Sequence, residues 1–223
     1  MGRFIVIDGL DGSGKETQSL ILKKHLEDMG IKVRYISFPC YDNDSSLFVK
    51  KYLNGELGSR PEDTNAFAAS SFFALDRYLS YRTDWKKDID DPDTVVIANR
   101  YTTANAVHQL SKLDRGEWDY FLEWLFDTEF SKLSLPKPDA VIYLELLPDI
   151  AIDLINKRSI SDSRAKDIHE KDKDFLYRSY DAAMYAAEKL SWKRIKCYEN
   201  KEIRTREDIA AEIRCYIDEI IEK

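Results

Sequence analysis

The run Phe4-Ile5-Val6-Ile7 passes through Asp8 directly into Gly9-Leu10-Asp11-Gly12-Ser13-Gly14-Lys15, and no other segment constrains the fold of this chain so tightly. The apolar run reads as a buried strand, and the glycines after it fit the spacing GxxxxGK. Glycine lets the backbone turn sharply enough for successive amides to point inward. A helix opening after Ser13 would aim its positive end at the same point, and Lys15 would add a mobile charge. The segment is therefore a phosphate cradle between a strand and a helix, and the ligand it implies is a nucleoside triphosphate. Gly9, Leu10, Asp11, Gly12, Ser13, Gly14 and Lys15 form the cradle, with Glu16 and Thr17 opening the helix. A Ser or Thr hydroxyl that helps hold Mg²⁺ usually follows the lysine. Glu16 stands there instead, and Thr17 carries the nearest hydroxyl.

Such a loop needs a sheet behind it. Strand-like runs recur at Phe4 to Asp8, Lys32 to Phe38, Thr94 to Ala98, Ala140 to Leu144 and, more weakly, Arg194 to Tyr198. Helical periodicity covers about Glu16 to Met29, Ser45 to Leu53, Glu62 to Trp85, Glu117 to Lys132, Pro148 to Lys157, Asp172 to Leu190 and Arg206 to Ile221. Strands alternating with helices specify a parallel sheet, and consecutive apolar residues such as Val95-Val96-Ile97 specify strands covered on both faces. The 223 residues suit one domain of this kind, residues 1–223, in which the polar stretch from about 158 to 174 lacks apolar anchors and reads as a lid.

A net charge of −7 argues against a nucleic-acid or anionic-membrane surface, because such binding neutralises many phosphates with Lys and Arg. Cys40, Cys197 and Cys215 are odd in number and widely spaced, and the chain has no signal peptide or long apolar span, which points to a reduced, cytoplasmic protein.

In open sheets of this kind ligands sit beyond the carboxyl ends of the strands. Four strand exits carry suitable chemistry: the cradle, Phe38-Pro39-Cys40-Tyr41, Asn99-Arg100-Tyr101, and Glu145 with the segment leading to the lid. Together with Phe73-Ala74-Leu75-Asp76-Arg77, and with Asn105 and His108 downstream, these segments resemble the thymidylate kinase family in their order and positions. Asn99-Arg100-Tyr101 is similar to that family's Asp-Arg-Tyr motif. The resemblance implies a three-layer P-loop NTPase fold, a five-stranded parallel sheet flanked by helices on both faces. It further implies transfer of the γ-phosphate of ATP to dTMP with Mg²⁺, and a homodimer.

The resemblance also distributes roles. Arg77 and Arg100 would hold the acceptor phosphate, a task suited to the planar guanidinium fork. Phe73, one helical turn before Arg77, would stack on the base, and Asn105 would contact its edge. Asp11, Phe38, Tyr41, Tyr101 and His108 would surround the sugar and phosphate. In the lid, Arg158 and Arg164 would close over the ATP phosphates, with Arg164 the closing residue, and Asp167 and Glu170 would lie near the acceptor sugar or the metal. Lys15, Arg100, Arg164 and Asp11 would be the catalytic set. The histidines need not take part: His25 and His169 read as surface residues.

Two departures concern the metal. Asn99 stands in place of the motif's aspartate, which removes a charge that draws Mg²⁺, and Glu16 puts a carboxylate nearby. Cys40 occupies a position where the family often has arginine. These departures leave open a kinase for another nucleotide or deoxynucleoside, and a non-catalytic nucleotide-binding protein. The apolar residues Trp118, Phe121, Leu122, Trp124 and Leu125 suit either a dimer face or the core.

Overall fold

The computed structural model describes residues 2–161 and 167–221. Five strands form one sheet: β1 (Arg3–Gly9), β2 (Lys32–Ser37), β3 (Thr94–Asn99), β4 (Ala140–Glu145) and β5 (Lys193–Lys196). Their order is β2-β3-β1-β4-β5, and every pairing is parallel. The central β1 pairs Ile7 with Asn99 on one side and with Ile142 on the other, so the cradle, the end of β3 and the end of β4 emerge side by side. A small antiparallel hairpin, β6 (Tyr198–Glu199) with β7 (Glu202–Ile203), follows β5 and was not foreseen from the sequence.

Alternation along the strands sends successive side chains to opposite faces. Ile5, Ile7, Val95, Ile97, Ile142, Leu144 and Ile195 meet helices α1 (Lys15–Asp28), α7 (Pro148–Ser161) and α10 (Arg206–Ile221). Phe4, Val6, Val96 and Ala98 meet Tyr81, Trp85, Ile89 and Tyr101 on the other face. Each fully enclosed large apolar side chain contributes roughly 1.5–3 kcal/mol, so both helical layers are held mainly by this burial.

The connection from β2 to β3 is built from α2 (Leu47–Leu53), α3 (Ala66–Ser80), a π-helical turn Tyr81–Trp85 and α4 (Lys86–Asp90). The long helix expected from Glu62 starts instead at Ala66, because the Asn65 side chain accepts the Ala68 amide and caps the helix there. The connection from β3 to β4 contains the unforeseen α5 (Thr102–His108), then α6 (Trp118–Phe126), which runs into a second π-helical turn, Asp127–Lys132. Trp118, Phe121, Leu122 and Leu125 are buried against Ala106, Leu110, Ala182 and Ala186, with Trp124 packed on them; they are core, not a face for a partner.

Beyond α7 lie α8 (Ile168–Lys171) and α9 (Lys173–Lys189). The second half of the expected lid is thus anchored: Ile168 packs with Val49, Tyr52 and Leu53, and His169 is 5% exposed. His169 is therefore not the solvated residue expected. His25 is half-buried, 3.1 Å from Asp218 of α10. Among the described residues no helix is long and apolar enough to cross a membrane.

Candidate active site at the carboxyl end of the sheet

Where β1 ends, the chain must turn within a very small radius. A Cβ on Gly9 would stand 2.5 Å from Ser13 Oγ and 2.7 Å from the Leu144 carbonyl, and Gly14 takes φ 81° as it caps α1. Only glycine meets both demands without strain. The cradle opens onto a cleft of about 710 Å³, lined by Asp11 through Gln18 on the donor side and by Phe38, Tyr41, Phe73, Asn99, Arg100, Asn105 and His108 on the other. Arg158, Asp167, His169 and Glu170 form its rim beside α7 and α8. Arg204 and Arg206 close the far end, where Gln18 Nε2 donates to the Arg206 carbonyl at 3.0 Å.

Four charges meet between the two halves. Arg100 leaves β3 with φ 66°, which turns its side chain back across the sheet end. Its Nη2 donates to Asp11 Oδ1 at 2.5 Å, and its Nη1 donates to Asp8 Oδ1 at 3.3 Å and to His108 Nε2 at 3.1 Å. Lys15 Nζ donates to the Leu10 carbonyl at 2.9 Å and lies 3.9 Å from Asp11. Burial, then Arg100, push Lys15 down to about 8 against the pull of Asp11 and Asp8. Burial alone would raise Asp11, but Arg100 and Lys15 hold it well below the usual carboxylate range. Burial and Arg100 push His108 down to about 3, so it is a neutral acceptor toward the guanidinium. Burial and the charge of Asp11 raise Asp167 to about 7.

Several expected site residues lie elsewhere. Arg77 is 1% exposed and outside the cleft; it donates to Glu129 through Nε at 2.7 Å and Nη2 at 2.5 Å, and to the Tyr101 carbonyl at 3.3 Å. A carboxylate faces it fork to fork and takes two of its five N–H donors. Tyr101 is core, its hydroxyl donating to the Pro136 carbonyl at 3.0 Å. Leu10 is fully buried and contributes its carbonyl rather than its side chain. Tyr177, on α9 just past the expected lid, donates to Asp149 on the exposed side. Arg164 lies outside the described residues. Arg158 pairs with Glu170 on the rim. Cys40 points its thiol at the Ser37 carbonyl and brings no charge to the cleft.

Two acidic residues went unread in the sequence. Asp8 follows the apolar run Phe4-Ile5-Val6-Ile7 in β1 yet is fully buried, held by the Gly9 amide at 2.8 Å and by Thr103 Oγ1 at 2.5 Å. Glu129, also fully buried, takes Arg77, Thr102 Oγ1 at 2.7 Å and Asn105 Nδ2 at 3.3 Å. Its signal was present: Phe121, Leu122 and Leu125 mark an apolar stripe, and the next position on it, four residues after Leu125, is Glu129.

For a divalent cation the cleft offers oxygen donors. Asn99 Nδ2 donates to Ser37 Oγ at 3.1 Å, and among the described residues Asn99 Oδ1 is buried without a hydrogen-bond partner, as is Ser13 Oγ. Glu16 is exposed on the cleft wall. Among the described residues no group of three or more His, Cys, Asp or Glu side chains could hold a metal. Mg²⁺ does not require one, since it keeps several waters and binds through one or two protein oxygens with substrate phosphates.

Comparison with known proteins agrees with this geometry. The family model described as thymidylate kinase matches residues 7–221. A thymidylate kinase of Mycobacterium tuberculosis is 30% identical over 184 residues, 82% of this chain and 83% of that protein. A probable thymidylate kinase of Staphylothermus marinus is 29% identical over 191 residues, covering 84% and 83% of the two chains. The solved thymidylate kinase of Candida albicans superposes with TM-score 0.68 at 19% identity, over 97% of this chain and 91% of that one, which shows a common fold. With a phosphate cradle and an arginine-bearing acceptor wall on one parallel sheet, and with a family match spanning nearly the whole length, the chain belongs to the thymidylate kinase family.

Proposed function

We propose that this protein transfers the γ-phosphate of ATP to dTMP, giving dTDP and ADP, in the supply of deoxynucleotides. The observation that carries the reading is one cleft uniting Lys15 of the cradle with Arg100, Phe73 and Asn105. ATP would lie with its phosphates on the amides of Asp11 to Thr17, and dTMP with its base by Phe73 and Asn105 and its phosphate toward Arg100. The acceptor phosphate is already an anion at neutral pH, so no strong base is needed; what remains is alignment and neutralisation of charge. Arg100, held by Asp8 and Asp11, is poised at the junction of the two substrates. Asn99 Oδ1 and Glu16 would help to hold a Mg²⁺ ion, which would supply positive charge to neutralise the ATP phosphates. The segment from about 158 to 174, within one domain of 223 residues, would cover the cleft as a lid, with Arg158 and Arg164 toward the phosphates and with Asp167 and Glu170, on its half seated against α2, toward the acceptor.

Charge and cysteine state support a cytoplasmic protein that binds neither nucleic acid nor membrane: all three cysteines are free. A homodimer is supported by exposed apolar side chains on neighbouring helices: Leu47 and Phe48 on α2, and Leu75 and Leu79 on α3, each 43–51% exposed.

The test is ADP release measured with dTMP, dUMP, dCMP and thymidine, with and without Mg²⁺, for the wild type and Arg100→Ala. Losing this guanidinium should lower kcat/KM for dTMP about 100-fold or more, with little change in the KM for ATP. Unchanged turnover of dTMP would overturn the assignment. Turnover of thymidine in place of dTMP would favour a deoxynucleoside kinase. ATP that raises the unfolding temperature while no acceptor yields ADP would favour a nucleotide-binding protein without catalysis.

A further inference from the structure

We propose that Glu129, which does not reach the cleft, sets the choice of pyrimidine by fixing the polarity of the Asn105 amide. The inference rests on the reading that a pyrimidine monophosphate sits against Phe73 and Asn105.

Asn105 is 1% exposed, and it lines the cleft. Its Nδ2 donates to the Ser70 carbonyl at 3.2 Å and to Glu129 Oε1 at 3.3 Å. An amide nitrogen carries two protons, and these two acceptors use both. Turning the amide over would set Oδ1 against a carbonyl and a carboxylate, three acceptors with no proton among them. The nitrogen therefore stays inward, and Oδ1, which has no protein donor among the described residues, is what the cleft meets.

The rest of the Glu129 environment keeps that carboxylate in place. It sits on the π-helical turn Asp127–Lys132, fully enclosed, and takes two bonds from Arg77 and one from Thr102. An ionised carboxylate only accepts, so the arrangement cannot invert by moving a proton. Arg77 is the partner that holds Glu129.

Thymine and uracil present N3–H, a donor, to such an oxygen. Cytosine presents a bare N3 lone pair at the same place. A buried site built to pair with one pattern rejects the other because its own group is left unpaired. Glu129 would thus be a positioning residue for keto pyrimidines.

The experiment compares wild type, Glu129→Gln and the charge-free double variant Arg77→Met/Glu129→Gln on dTMP, dUMP and dCMP. Glutamine can offer its own N–H to Asn105 Oδ1 and so release the amide. The ratio of kcat/KM for dTMP over dCMP should fall at least tenfold, chiefly through the acceptor KM, while the dTMP to dUMP ratio and the KM for ATP stay constant. The shift of the unfolding temperature by each monophosphate gives the same ratio without turnover, should the variants be slow. If the wild type is active and both variants keep its dTMP to dCMP ratio, whatever their overall loss, the role of Glu129 alone is overturned. A wild type that phosphorylates none of the three would overturn the kinase reading and this inference with it.

Discussion

The Arg77–Glu129 pair shows how far a side chain's neighbours decide its role. Both partners are out of water, with side chains 1% and 0% exposed. Removing one leaves the other charged and buried, which costs about 3–5 kcal/mol, whereas replacing both by apolar residues of similar volume is often neutral or stabilising. Arg77→Ala is therefore expected to lose about 3–5 kcal/mol in urea unfolding, and Arg77→Met/Glu129→Gln, which removes both charges but keeps an acceptor for Thr102 and Asn105, to lose less. The cradle and Arg100 were legible from sequence because motif and strand exit point to the same atoms. The burial of Arg77 against Glu129 was not legible, because spacing on a helix gives the direction of a side chain but not the depth of what packs over it. Glu129 was overlooked because an acid in a helical run reads as a solvent face unless the apolar stripe is followed one position further.

At the scale of elements, the five strands and most long helices could be read from periodicity, since burial on two faces leaves an unmistakable pattern. What escaped were pieces held by tertiary contact. Helix α5, Thr-Thr-Ala-Asn-Ala-Val-His, has little intrinsic preference and is organised by Asp8 and Glu129 through Thr103 and Thr102. The hairpin β6–β7 is two residues a side. Helix α6 was ambiguous, and its contacts decide the matter: Phe121 is fully buried between Phe67 and Trp124, with ring centroids 5.4 and 5.7 Å away. Phe121→Ala should cost about 3–5 kcal/mol of unfolding free energy, and that loss should not depend on protein concentration, as a core residue requires and an interface residue does not.

For the whole molecule, the proposed homodimer predicts that Leu75→Glu with Leu79→Glu moves sedimentation from dimer to monomer while far-ultraviolet circular dichroism is retained. Acid stability is a second global property. His108 is pushed down to about 3, and His169 well below its usual value by burial and by His108. Between pH 6.5 and 3 the unfolded chain therefore binds protons that the folded chain does not, so stability falls as pH falls through this window. His169→Phe should flatten urea unfolding free energy against pH from 6 to 4, by up to about 1.4 kcal/mol per pH unit.

The cleft also carries its own counter-ions. Lys15 and Arg100 are matched by Asp8 and Asp11 within hydrogen-bonding or ion-pair distance, so these four residues sum to no net charge. An arriving phosphate thus exchanges places with a resident carboxylate rather than falling into an open positive well. A lone small anion gains little from such an exchange, while a nucleotide that also seats its base can complete it. Discrimination against free phosphate in this arrangement comes from charge the protein has already spent on itself.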